Sequence, residues 1–287
     1  MDRRWENIPA EQIEHLAEGL KPGAYLSDWM SADTDVNKAD AVLGKDLHFS
    51  FSNDNKCSCR FGSVNNLSYS EDGTAPVDCL YRILPAPGHP ELVFIQFYLD
   101  GQVPATCVQL VLDLDTGYCV RVKARIGSVP AYPREATHDI DFGMAEEIFA
   151  AGKLVCAGQP PHFTDDLTGR AIMWQMPEHT GKPPIKHIYI SPEYYAIRMT
   201  RPDGTCFMSA DPADYVKIKD GVYLISAIEE RRSGIQLTFL INTDTLEDIV
   251  GHFGISAGNE KTSEEPRIVC TVMTGRKGRW VPMETFE

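Results

Sequence analysis

Two charged residues stand out because each ends a strand-like run that is otherwise apolar. Arg198 closes Tyr194-Tyr195-Ala196-Ile197-Arg198, and Glu229 closes Val222-Tyr223-Leu224-Ile225-Ser226-Ala227-Ile228-Glu229. Strand alternation puts Tyr223, Ile225, Ala227 and Glu229 on one face. If that face lines a closed sheet, Glu229 is partly desolvated, which favours its protonated form and suits it to exchange a proton near neutrality. An arginine opposite it could clamp a carboxylate or enolate in bidentate fashion. Together the two suit cofactor-free proton transfer: decarboxylation, isomerisation, dehydration or cyclisation. His187 and Tyr189 share a face at i, i+2, and Tyr195 follows on the neighbouring strand. With Trp174, Tyr223 and His252 they make a polar and aromatic set able to orient a ligand in a mostly apolar cup. A plainer reading competes: Glu229-Glu230-Arg231-Arg232-Ser233-Gly234 as a solvated hairpin turn, Arg198 as a surface residue, His187 in the wall, and Trp174 as packing.

Positioning such a set requires a closed sheet, and the chain carries the pattern for two. Leu43-Gly44-Lys45, Val93-Phe94-Ile95 and Val108-Gln109-Leu110-Val111-Leu112 recur in order as Thr168-Gly169-Arg170, Val222-Tyr223-Leu224 and Ile235-Gln236-Leu237-Thr238-Phe239. A repeat of this length is a duplicated domain, since solenoid periods are about 20 to 50 residues. In this alignment His48 stands where Met173 does, and Asp100 where Glu229 does. The first copy has Phe, Cys and Leu where polar ligands would go, and so reads as structural support.

Short strand-like runs fill both copies: 46–52, 56–61, 66–70, 77–84, 92–99, 107–114 and 119–126, then 171–176, 186–190, 194–200, 205–210, 214–218, 221–229, 235–241, 246–253 and 267–273. Turn chemistry such as Asp72-Gly73 and Asp115-Thr116-Gly117 separates them. Seven or eight strands per half with almost no helix predict an all-β protein of two tandem antiparallel barrels with short peripheral helices, because closure removes unpaired edges. A barrel of about eight strands can hold one small ligand. The expected divisions are a helix (9–20) and lead-in segment over 1–40, a first barrel over 41–127, a proline-bracketed connector with a helix near 144–151 over 128–163, and a second barrel over 164–287.

Composition narrows the partners. A net charge of −14, from 27 basic and 41 acidic side chains, repels polyphosphates and argues against nucleic acid. No stretch approaches the ~18 consecutive apolar residues of a membrane span, and the N-terminus lacks a signal-peptide run, so a cytoplasmic protein is expected. Its eight cysteines include no CxxC pair; Cys57-x-Cys59 would share one face of a strand, and reduced thiols are expected. His138-Asp139-Ile140-Asp141 is a His/carboxylate cluster in the connector, read as a solvated loop or helix lead-in and not as a metal site. No phosphate-binding or metalloprotease motif is present. The expected partner is therefore a small molecule, with no cofactor and no metal; a homodimer is compatible with these features.

The second half resembles the MoaF family, named after molybdenum cofactor biosynthesis protein F. The resemblance rests on Thr164-Asp165-Asp166-Leu167-Thr168-Gly169, His187-Ile188-Tyr189-Ile190 with Tyr195, Tyr215-x-Lys217-Ile218-x-Asp220-Gly221-Val222-Tyr223, Glu229, and Gly251-His252-Phe253-Gly254. Leu43-Gly44-Lys45 and Leu112-Asp113-Leu114-Asp115-Thr116-Gly117 extend it into the first half. It implies two lipocalin-like (calycin) barrels and, as an alternative to catalysis, a small-molecule-binding or regulatory protein linked to molybdenum cofactor biosynthesis. More distantly, the second barrel is similar to phenolic acid decarboxylase, a cofactor-free lyase. That likeness implies that Arg198 and Glu229 hold the family's arginine and glutamate positions. Its carboxylate-gripping tyrosine pair falls on Trp174 and Met176, which lack the hydroxyls. The expectation is thus a lyase- or isomerase-type enzyme acting on a small aromatic or conjugated metabolite, with Glu229 and Arg198 catalytic.

Overall fold

The computed structural model describes residues 39–127, 136–150, 159–178, 181, 183–200, 203–229, 234–256 and 267–284. The expected N-terminal helix over 9–20, the turn residues 230–233 and Cys156 lie outside them. The first barrel is built from β1 (Asp46–Phe51), β2 (Lys56–Phe61), β3 (Asn66–Glu71), β4 (Val77–Ala86), β5 (His89–Leu99), β6 (Ala105–Asp113), β7 (Tyr118–Ile126) and β8 (Ala136–Ala145). Each strand pairs antiparallel with the next, and β8 returns to β1 to close the ring. A short helix α1 (Glu146–Ala150) and β9 (His162–Phe163) lead to the second barrel. Its strands are β10 (Arg170–Gln175), β11 (Ile185–Ser191), β12 (Tyr194–Thr200), β13 (Cys206–Lys219), β14 (Val222–Ile228), β15 (Ile235–Asn242), β16 (Glu247–Ser256) and β17 (Arg267–Val281). β10 pairs with both β11 and β17, and β12 with β13, so this ring closes too. The protein is two closed, eight-stranded antiparallel barrels in tandem.

Two strands depart from the expected pattern for physical reasons. β8 occupies a span expected to be connector, so the first barrel extends beyond residue 127. Its inward positions are Thr137, Asp139, Asp141 and Gly143, while Ile140 and Phe142 pack outward, which inverts the usual apolar-in pattern. β13 runs unbroken through Pro212, where a gap between two strands was expected. Residues 206–212 pair with β12 and residues 213–219 with β14, so the proline sits where the strand passes from one partner to the other.

The barrels meet through equivalent faces. β5, β6, β14 and β15 are buried on both sides along most of their length, which is why they read as near-continuous apolar runs. Leu92, Phe94 and Val111 of one barrel pack with Val222, Leu224 and Leu240 of the other. A buried polar network crosses the seam: Gln96 donates to the Thr271 carbonyl (2.8 Å), Gln109 donates to Gln96 (2.9 Å), and the Thr238 hydroxyl donates to Gln109. Gln96 pairs with Gln109 in register just as Ser226 pairs with Thr238. The matched positions Gln109 and Thr238 therefore touch each other, the signature of an isologous, two-fold contact. Gly251 lies on this seam. A Cβ there would fall 2.4 Å from Gln96 Oε1 and 2.9 Å from Phe94, so the close approach requires glycine.

The register also corrects the repeat. Asp113 and Asn242 make the same turn, each side-chain oxygen accepting the backbone N–H groups two and three residues on. Asp113 pairs with Leu92 and Asn242 with Val222, so Leu92, not Val93, matches Val222. A one-residue slip exchanges the two faces of a strand. The residue matching Glu229 is consequently Leu99, not Asp100.

Candidate functional site in the second barrel

Inward positions of the second barrel follow from the strand alternation and its core: Ile172 and Trp174 on β10, His187 and Tyr189 on β11, Tyr195 on β12, Ala213 and Tyr215 on β13. Tyr189 pairs with Tyr195, and Tyr195 pairs with Asp211. Continuing the β13–β14 register, in which Ala213 faces Ala227, puts Asp211 across from Glu229. One rung around the wall thus reads Tyr189, Tyr195, Asp211, Glu229. Asp211 is fully buried and accepts from the Ser209 hydroxyl at 2.8 Å, while Glu229 is half-buried at the strand end.

The electrostatics follow from burial. Burial pushes the Tyr195 phenol well above its ordinary value, and the nearby Glu229 and Asp211 carboxylates add to the rise. Tyr189 is raised by burial and then by Asp248. Both phenols stay protonated at neutral pH and present donors. His187 is driven well below the ordinary histidine value, first by burial and then by the Arg276 charge, so it is neutral. Its ring packs edge-on against Phe239 (centroids 4.8 Å), Tyr195 (5.6 Å) and Trp174 (6.2 Å).

Several of these buried groups lack a hydrogen-bonding partner in the protein: both ring nitrogens of His187, the Tyr189 and Tyr195 hydroxyls, and the Trp174 indole nitrogen. The Trp174 N–H lies close enough to Tyr189 to offset part of its rise, but the two do not meet hydrogen-bond geometry. Native interiors rarely leave buried polar atoms unpaired, and a cluster of them calls for an explanation. The matching positions of the first barrel, traced strand by strand through the registers, are apolar or thiol. Phe49 matches Trp174, Cys59 matches His187, Phe61 matches Tyr189, Leu67 matches Tyr195, Cys79 matches Asp211 and Leu99 matches Glu229.

The other expected site residues are distributed unevenly. His252 lies on the inner face of β16, paired with Leu237 and Thr271, near the Glu229 end. Tyr223 is six residues from Glu229 on the same face, at the opposite end of the barrel, where its hydroxyl donates to Asp166 (3.0 Å) beside Lys217. Arg198 is not opposite Glu229. It pairs with Lys186 on the outward side, in a groove of about 340 Å³ that it lines with Lys186 and Arg279. The reason is parity: Tyr195 and Ile197 point inward, so Arg198 must point out.

The lumenal arginine is instead Arg276. Its Nε donates to Asp248 at 3.0 Å, both residues are buried, and its guanidinium lies 4.9 Å from the Trp174 ring and 5.3 Å from Phe239. Burial raises the Asp248 carboxyl while Arg276 opposes the rise. Sequence reading missed Arg276 because the last strand was expected to end at 273, and missed Asp211 because Pro212 looked like a strand break. The alternation Ser209-x-Asp211-x-Ala213-x-Tyr215, read through the proline, carries the signal for the latter. His138 and its neighbours are split by alternation: His138 meets Asp214 (2.7 Å) and Ser226 (3.1 Å) of the second barrel, while Asp139 and Asp141 face the first lumen. Among the described residues no group of three or more His, Cys, Asp or Glu side chains is placed to hold a metal ion. No helix among them is long and apolar enough to cross a membrane. Neither a protein-family model nor a curated protein matches this chain.

Proposed function

We propose that the second barrel binds a small aromatic or conjugated, oxygen-bearing metabolite and converts it by proton transfer, as a cofactor-independent lyase or isomerase. The observation that carries this reading is the cluster of unpartnered polar atoms on His187, Tyr189, Tyr195 and Trp174, set among aromatic rings where the first barrel has none. The phenols and the indole offer donors to a carbonyl or carboxylate oxygen, and neutral His187 can donate and accept. Such donors stabilise charge that develops on oxygen when a neighbouring carbon loses a proton or a carboxyl group. Glu229, at the accessible end of the same rung, takes or returns the proton, and Asp211 beside it offers a second carboxylate for a relay. Substrate anchoring passes from Arg198, outside the wall, to the two tyrosines.

The complete burial of His187, Tyr189 and Tyr195 also favours a second reading, a barrel that sequesters its guest without converting it. This is the alternative to which the MoaF resemblance points, a binding or regulatory protein linked to molybdenum cofactor formation. Native mass spectrometry of the full chain purified from its host is expected to show a retained small molecule. Extracted ligand or a panel of hydroxycinnamates is then incubated with wild type and Glu229→Gln. Glu229→Gln is expected to lose about 10²–10⁴-fold in turnover with an unchanged thermal midpoint, whereas Arg198→Ala retains turnover. Full activity in Glu229→Gln defeats the catalytic assignment, and tight binding of a pterin intermediate with no product selects the second reading.

A further inference from the structure

The first barrel, although its interior is packed with Phe49, Phe61, Phe97 and their neighbours, opens at one end into a cavity of about 770 Å³. This is within the range of roughly 300–1,000 Å³ typical of small-molecule sites. Its floor is Arg121, itself fully buried. The guanidinium stacks 4.1 Å over the Phe51 ring and donates to Asp141 (2.6 and 2.9 Å) and Glu71 (2.9 Å). Asn53 donates to the other Asp141 oxygen at 2.6 Å. Up the same wall, Lys123 pairs with Glu71 and Arg125 with Asp139 (2.5 Å). Every inward charge of β7 is thus already matched by an inward carboxylate, which is why β8 is polar on its inner side.

That pairing decides what the cavity can take. An anion would have to displace Glu71, Asp139 or Asp141 from its cation, and a cation reaching those carboxylates would have to displace the arginines and the lysine; each leaves a partly buried charge unpaired, while Asp72 lies exposed at the rim, accepting the Lys56 backbone N–H. A neutral molecule rich in hydroxyls faces no such cost. Each hydroxyl both donates and accepts, so it can bridge a carboxylate and its cationic partner without breaking them. The amides of Asn55 and Gln102 and the hydroxyl of Thr74 widen that pattern, and Tyr69 and Val77 supply apolar contact. We infer that the mouth of the first barrel is a second ligand site, one for a neutral polyhydroxylated molecule such as a sugar or polyol. It is independent of the second lumen and of the chemistry proposed there.

Isothermal calorimetry and saturation-transfer NMR on the full chain, with glucose, galactose, xylose, trehalose and myo-inositol as probes, test this. Inorganic phosphate and 4-hydroxybenzoate serve as the anionic comparison. At least one neutral probe is expected to bind saturably. Asp139→Ala, which removes an exposed wall carboxylate, and Gln102→Trp, which fills the mouth, are each expected to weaken it about tenfold or more, the worth of one hydrogen bond to a charged group. Gln102→Trp should melt like wild type, Asp139→Ala, which leaves Arg125 without its carboxylate, should melt somewhat lower while staying folded, and Tyr195→Phe in the other barrel should leave the probe's affinity unchanged. The inference is overturned if no neutral probe saturates, if an anion binds this cavity more tightly than every sugar, or if neither variant alters binding.

Discussion

The two barrels have the same strand number, the same closure and the same contact face, yet their interiors are built on opposite plans. At six matched positions the first carries Phe49, Cys59, Phe61, Leu67, Cys79 and Leu99, and the second carries Trp174, His187, Tyr189, Tyr195, Asp211 and Glu229. In the first, polarity is displaced to the mouth, where Arg121, Lys123 and Arg125 are each paired with a carboxylate. In the second it is carried inside, where several donors and acceptors meet nothing from the protein. Duplication lets one fold hold both arrangements, because the shared outer face supplies stability that neither lumen has to provide. An Arg–Asp pair inside each barrel shows the same freedom. Arginine sits on the seventh strand and aspartate on the eighth in the first barrel, and the order is reversed in the second.

The most disruptive way to probe that comparison is to break those pairs. Asp248→Ala and Asp141→Ala each leave a buried guanidinium without its main partner and should cost on the order of 3 to 5 kcal/mol in denaturant unfolding. The Asp141 variant should suffer less, because Glu71 still holds Arg121. Next in size is the seam. Gly251→Val drives a branched side chain into Gln96 and Phe94 and should lose about 1 to 3 kcal/mol, with near-ultraviolet dichroism reporting the disturbed packing. A loss confined to either lumen would contradict the placement of that glycine.

Smaller effects sharpen the contrast in polarity. Tyr189→Phe and Tyr195→Phe, which bring the second lumen closer to the first, should leave stability unchanged or raise it by about 1 kcal/mol each, since an unpaired buried hydroxyl is removed. They should weaken ligand binding at the same time; a clear drop in melting temperature would mean the hydroxyls are already satisfied. A pH dependence completes the contrast. His187 is held neutral in the folded state, surrounded by Trp174, Tyr195, Phe239 and the Arg276 charge, while the unfolded chain protonates it near its ordinary value of 6.5. Its folded-state value lies below the unfolded one, so stability falls as pH drops below about 6.5. His187→Phe should flatten that limb in melting curves collected between pH 7.5 and 5, and an unchanged slope would mean the histidine is not neutral.

Much of this was legible from residue order. The repeat, the count of short strands and the turns between them fix two antiparallel barrels. The strands by which the repeat was recognised, around Val93, Val108, Val222 and Ile235, proved to be those buried on both faces at the seam, where packing constrains every position. The aromatic set of His187, Tyr189, Tyr195 and Trp174 was legible as well, because i, i+2 spacing holds whatever the neighbours do. Less legible were β8, whose polar residues point inward, and Arg276, whose strand runs past a bulge between Asp248 and Val250 that shifts its register. Gly251, read from the sequence only as part of the Gly251-His252-Phe253-Gly254 motif, serves the seam.

Order along the chain settled which residues alternate together and where the backbone turns, since those depend on local geometry and on short-range hydrogen bonds. Which face of a strand meets the lumen, the other barrel or solvent was decided only when sheets closed and packed. That is why Glu229 kept its place on the inner rung while Arg198 moved to the outer wall. Alternation is a property of one strand, but inside and outside are properties of a closed surface, and a slip of a single residue exchanges them.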